Sequence, residues 1–136
     1  MALNAEDQQW LEAFIGSQGG LAGTLHRAHG SDLHLTAALN IPPPVLAAVQ
    51  VVTPGKGMAG LAQVQGRPVQ TCNLQDDDSG RIKPMAKLVG GNAAIALPVK
   101  TGEGHVRAVV GITFAFDGEI DADAERTLAA SAASLP

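Results

Sequence analysis

The sequence predicts an α+β fold, a central antiparallel sheet of about five to six strands flanked by helices. Three observations predict it. Two apolar hairpins, 21–39 and 93–116, are each closed by turn residues, His29-Gly30-Ser31-Asp32 and Thr101-Gly102-Glu103-Gly104-His105. Hairpins pair strands antiparallel. Helical patterning is confined to both ends and to short central stretches, so helices flank the sheet instead of alternating with its strands. The length, 136 residues, suits one compact domain, read here as 1–136 with a core over about 11–128.

The elements follow in order. Asn4 is an N-cap, and Glu6 and Asp7 sit in a first turn that favours negative charge. Trp10, Leu11, Phe14 and Ile15 then form the apolar stripe of a terminal helix, 5–15, which Gly19 and Gly20 end. Leu21 to Ala28 and Leu33 to Leu39 are the strands of the first hairpin. Pro42-Pro43-Pro44 stops the second strand and its last proline opens a short helix over Val45–Val49, followed by an extended piece, Val51–Thr53. Gly57 to Val64 is a short helix, with Gly66 at its C-terminal stop and Pro68 blocking continuation. Val69 to Cys72 is a strand. A long polar segment, 73–91, carries a helical turn around Pro84–Val89. Strands Ala93–Lys100 and Val106–Phe116 form the second hairpin, and Asp121 caps an Ala-rich terminal helix, 122–134.

Composition excludes several classes. Hydrophobic residues make up 46% of the chain but aromatics only 3%, so the core is built from Ala, Val, Leu and Ile. The net charge of −4 is spread along the chain and leaves no basic stripe for direct nucleic-acid contact. No apolar run reaches membrane-spanning length, and the acidic start is not a signal peptide, so the expected placement is cytoplasmic. A single cysteine, Cys72, excludes an internal disulfide and a multi-cysteine metal site.

Gly55-Lys56-Gly57-Met58-Ala59-Gly60 spells a dinucleotide fingerprint, with Asp76, Asp77 and Asp78 about 20 residues on. The context opposes that reading. Pro54 precedes the turn, Gly66 stops the helix after barely two turns, and the surrounding connections are hairpins rather than crossovers. A phosphate-binding P-loop also fails, because Lys56 is followed by glycine. The plainer account is conformational. Gly55 and Gly57 adopt dihedrals other residues avoid, and Gly60 lets the helix approach the sheet closely. The start of that helix also offers unpaired N–H groups to an anion, and Lys56 can reinforce them.

The same pieces, in this order, resemble a GAF domain. They are Leu33 to Leu39 running into the prolines, Gly55 to Ala62, Gly66-Arg67-Pro68-Val69-Gln70, Ala93 to Val99, and Ala108 to Ile112 before the last helix. The likeness covers about 11–128. It implies an antiparallel sheet with a ligand cavity on one face, roofed by the 54–66 and 73–91 segments, and a signal passed through the terminal helices, often in a dimer. One GAF branch, the free methionine-(R)-sulfoxide reductases, works with cysteines in the turn matching Met58-Ala59-Gly60 and in the loop before the Ala93 strand. This chain has none at either place. It also lacks the Asn-Lys…Phe…Asp-Glu motif of cyclic-nucleotide binders, and it has no tyrosine and no cysteine beside a histidine as bilin binders require.

The resulting expectation is a non-enzymatic, small-molecule sensor in signal transduction or transcription regulation, without a cofactor. Its ligand-binding residues would be Lys56, Gly57, Met58, Asn92, Arg81 and Lys83, a set suited to an anionic ligand. The first helix has Trp10 and Phe14 on one side and Leu11 and Ile15 on the adjoining side, one set for the sheet and the other for a second subunit, and the last offers Ala124, Leu128 and Ala132; together they suit a homodimer, and output would go to a separate protein. Two alternatives stand beside it: a thiol redox enzyme of the sulfoxide reductase type using Cys72, or a dimerisation scaffold without ligand. Cys72 reads more simply as a small core residue. His26, His29 and His34 would make a metal site only if hairpin register brought them together; polar positions on the solvent side explain them as well. Asp76-Asp77-Asp78 lacks the spaced ligands of a calcium loop and reads as a solvated loop.

Overall fold

The computed structural model describes residues 3–73, 75 and 90–136. The order of elements is α1 (Ala5–Gln18), β1 (Ala22–His29), β2 (Asp32–Leu39), α2 (Pro43–Ala48), β3 (Val51–Val52), α3 (Gly57–Gln65), β4 (Val69–Thr71), β5 (Ala94–Lys100), β6 (Val106–Thr113) and α4 (Ala122–Ala132). Six strands form one sheet in the order β3-β2-β1-β6-β5-β4, and every pairing is antiparallel. The antiparallel sheet removes the parallel crossovers that a dinucleotide fold needs. The expected helical turn around 84–89 lies outside the described residues.

Local chemistry accounts for the boundaries. Asn4 Oδ1 accepts from the N–H groups of Glu6 and Asp7, and Asp121 does the same for Ala124. Gly19 and Gly66 end α1 and α3 in left-handed conformations, φ 72° and 67°, which cost a glycine little. α2 begins earlier than the sequence suggests. Pro43 and Pro44 both occupy its first turn, where a missing N–H loses no hydrogen bond. Gly30-Ser31 is a two-residue turn that pairs His29 with Asp32.

The sheet is covered on both sides, unequally. On one face α1 and α4 bury a continuous core that includes Leu11, Phe14, Ile15, Leu25, Leu97, Val110, Ile112 and Leu128. Trp10 stacks on Phe14 with ring centroids 5.0 Å apart and donates from Nε1 to Ser134 Oγ. Both sides of the α1 stripe therefore pack within the chain. Leu128 and Ala132 of α4 are likewise buried, while Ala124 is exposed. On the other face, α2 and α3 cover two smaller clusters. One is Ala22, Val45 and Ala94; the other includes Leu33, Val52, Ala62, Val69, Ala96 and Val109.

Gly60 has a different role from the expected one. A Cβ there would lie 2.8 Å from Thr53 O and 3.1 Å from the Gly55 backbone. The close approach is therefore to the turn that precedes α3, not to the sheet, and Gly55 N–H donates back to Gly60 O. Alanine normally stabilises a helix over glycine by about 1 kcal/mol. Gly60→Ala is expected to lose about 1 kcal/mol net, because overpacking against backbone outweighs that gain. Gly16→Ala in α1, where nothing lies within 4 Å, is expected to gain up to about 1 kcal/mol. Denaturant unfolding of the two variants checks the opposite signs.

Candidate functional site

Partners across an antiparallel sheet share a face, so register maps the side beneath α2 and α3. Three rows run across it. The first is Ala22–Thr113–Ala94–Thr71. The second is Ala38–Thr24–Gly111–Ala96–Val69. The third is Leu35–His26–Val109–Pro98. The first two rows carry mainly Ala, Thr and Gly. Side chains this small cannot reach the covering helices as Leu or Ile would. The Thr24–Gly111 pair lies on the two central strands, yet both residues are only half-buried. A Cβ on Gly111 would stand 3.0 Å from Thr24 Oγ1, so the glycine leaves room for that hydroxyl. Met58, half-buried at the start of α3, packs against both clusters and borders this shallow floor.

His26 is the polar residue of the third row and is 2% exposed. Its Nε2 lies 2.8 Å from Val49 O, at the end of α2. A carbonyl only accepts, so Nε2 carries the hydrogen. Burial pushes the imidazole below its usual pKa; the Val49 bond opposes this and nearby His34 adds to it. The ring is therefore neutral, and Nδ1 presents a lone pair. Nδ1 has no hydrogen-bond partner among the described residues. An orphaned buried acceptor costs about 1–3 kcal/mol. Nothing in the sequence singles out this nitrogen. The register that places it follows from the two-residue turn, but the Val49 contact is tertiary.

The sequence-predicted residues fall in several places. Lys56 is exposed at the N-terminal flank of α3, and its own side chain does not cap that helix. Gly57 has φ 64°, and Gly60 N–H bonds to Lys56 O. Asn92 is half-buried and its Nδ2 donates to Ala115 O, tying the entry of β5 to the exit of β6. Arg81, Lys83 and Asp76–Asp78 lie outside the described residues. Cys72 is not a core residue: β4 ends at Thr71, and Cys72 is exposed just beyond it. The three histidines do not converge. His29 and His34 stack at 4.5 Å, and His34 pairs with Arg27, whose side chain binds Asp7 of α1. His26 occupies the opposite face. Among the described residues no group of three or more His, Cys, Asp or Glu is placed to hold a metal, and no helix is long and apolar enough to cross a membrane.

A short helix set between a glycine turn and a glycine stop, against one face of an antiparallel sheet, agrees with the pieces that carry the resemblance. The sequence profile of the GAF domain matches residues 4–135. The chain belongs to the GAF family. GAF domains generally sense small molecules. No curated protein matches this GAF domain in sequence. Its fold is similar to a type II free methionine-R-sulfoxide reductase from Thermoplasma acidophilum, with TM-score 0.76 and 14% identity, over 96% of this chain and 89% of that one. It is also similar to the A. aeolicus nlh2 GAF domain in an inactive state, with TM-score 0.69 and 19% identity, over 96% and 79%. A third similar structure is the GAF domain of an Acinetobacter phosphoenolpyruvate-protein phosphotransferase, with TM-score 0.68 and 16% identity, over 94% and 78%. Identities this low establish the fold alone, and the set contains both a reductase and regulatory domains.

Proposed function

We propose that this GAF domain is a non-enzymatic sensor that holds a small molecule over the Thr24–Gly111 floor, beside Met58 and the start of α3. The observation that carries the reading is the half-buried state of that pair on the two central strands. The middle of a covered sheet is normally its driest place, and here small side chains leave it accessible. A few polar groups in an aliphatic surround are the usual design of a ligand site. The N-terminus of α3, with Lys56 beside it, adds donors at one side. In this reading the signal leaves through α1 and α4 to a separate partner or a second copy. A thiol enzyme is less well supported, because Cys72 is the only cysteine and no second thiol can complete a disulfide cycle.

Thermal-shift measurement against a metabolite library tests the proposal. A ligand at about 100 times its Kd should stabilise the fold by about 2.7 kcal/mol. Gly111→Ala, which forces Thr24 to move over the floor, should abolish that shift while the unliganded variant still folds. A library in which no compound shifts the transition, or a shift that Gly111→Ala leaves unchanged, overturns the reading.

A further inference from the structure

Hairpin register removes His26 from the three histidines but brings the other two side by side. The geometry points to a two-imidazole chelate, His29 and His34, for a divalent cation of the copper, nickel and zinc class. It lies on the α1 face of the sheet, away from the Thr24–Gly111 floor, and stands independently of the sensor reading. Cross-strand partners share a face. Arg27 pairs with His34 and His29 with Asp32, so all four lie on the side where Arg27 meets Asp7 of α1. The two imidazole rings stack with centroids 4.5 Å apart and planes inclined by 23°. His29 is exposed and His34 half-buried, so an ion reaches the pair from solvent. Among the described residues neither ring has a hydrogen-bond partner. A neutral imidazole keeps one nitrogen lone pair, and that lone pair is what a metal takes.

Distance and charge both suit such an ion. Imidazole nitrogen binds zinc at about 2.0–2.1 Å, so two nitrogens on one ion lie within about 4 Å of each other. Rings with centroids 4.5 Å apart reach that separation by tilting. One imidazole alone holds the ion weakly. The second adds to it at little entropic cost, because the hairpin already holds the two rings together. Arg27, beside His34, would repel a cation, but its charge is met by the Asp7 carboxylate at 2.8 Å. Asp32 adds a negative charge on the same side. Among the described residues no third His, Cys, Asp or Glu joins the pair, so water completes the coordination. Copper(II) leads the affinity order of the first-row divalent ions at nitrogen sites and should bind tightest. Magnesium, which takes oxygen ligands, should not bind.

The test titrates the intact chain with copper(II), nickel(II) and magnesium chlorides. Calorimetry gives stoichiometry and affinity, and paramagnetic broadening of backbone amides in nitrogen-15 NMR locates the copper. One copper per chain is expected, with broadening centred on His29 and His34, weaker binding of nickel and no response to magnesium. His29→Gln and His34→Gln should each lose about a hundred-fold in copper affinity. His105→Gln, which removes an exposed histidine from the other hairpin turn, should lose none. Neither substituted ring belongs to the core, so the metal-free spectra of both variants should match the wild type beyond the β1–β2 turn. Broadening centred elsewhere, one copper shared by two chains, or a single variant that keeps full affinity overturns the inference.

Discussion

Asp7→Ala is expected to cost about 3 kcal/mol of stability, or a fall in Tm of roughly 10 °C at this chain length. Asp7 is 3% exposed and its carboxylate accepts from three groups: Arg27 Nε at 2.8 Å, Arg27 Nη2 at 2.8 Å and Thr36 Oγ1 at 2.7 Å. Removing it takes the carboxylate partner from the Thr36 hydroxyl and from two N–H groups of the Arg27 guanidinium at once. Breaking one side of a buried pair costs about 3–5 kcal/mol. The lower end applies, because the Arg27 side chain is 31% exposed and reaches water. Arg27 also keeps its bond to Pro136 O.

The same pair predicts a pH dependence. The bidentate bond from Arg27 holds the Asp7 carboxyl below its usual range, against the opposing effect of burial, with Thr36 helping. The folded value is lower than the unfolded one, so the native state binds fewer protons there. Its stabilisation is complete above the unfolded value of about 3.9 and disappears as pH falls through the folded value. The stability gap between wild type and Asp7→Asn should therefore narrow below about pH 4. Urea melts at stepped pH check this, and a constant gap would remove the ionised carboxylate from the explanation.

Gly23→Ala is the second large effect, expected at about 2 kcal/mol destabilising. A Cβ at Gly23 would stand 2.4 Å from Gly111 O and 2.5 Å from Ile15 Cδ1. The isoleucine tip can turn aside. The Gly111 carbonyl cannot, because β6 is pinned between β1 and β5. Overpacking costs up to about 3 kcal/mol, while alanine recovers about 0.5–1 kcal/mol of chain entropy relative to glycine. The clash wins. Denaturant titration should show the loss, and an unchanged midpoint would mean that the two central strands can part at no cost.

Much of the architecture was legible in the chain because it is local. Asn4, Gly66 and Asp121 mark helix ends by their own chemistry, and each hairpin is written in its turn. What escaped is what depends on distant partners. Asp7 looks like an ordinary first-turn acid until Arg27, 20 positions away, is folded onto it. Cys72 follows a strand that is one residue shorter than its sequence suggests, which changes it from core to surface. The histidine question turned on one register: the two-residue turn pairs Arg27, not His26, with His34. Gly60 is expected from sequence to let α3 approach the sheet, whereas the backbone that lies against it belongs to the turn before the helix; the pattern does not say what approaches. Of the candidate site, the Met58 helix start was legible, whereas the small-residue floor and the place of His26 required the register of five strands.

Consecutive residues of β1 serve opposite layers of the molecule. His26 grips the end of α2, while Arg27 fastens α1 and the carbonyl of Pro136. The helical layers on the two sides of the sheet are thus anchored to one strand at positions a single residue apart.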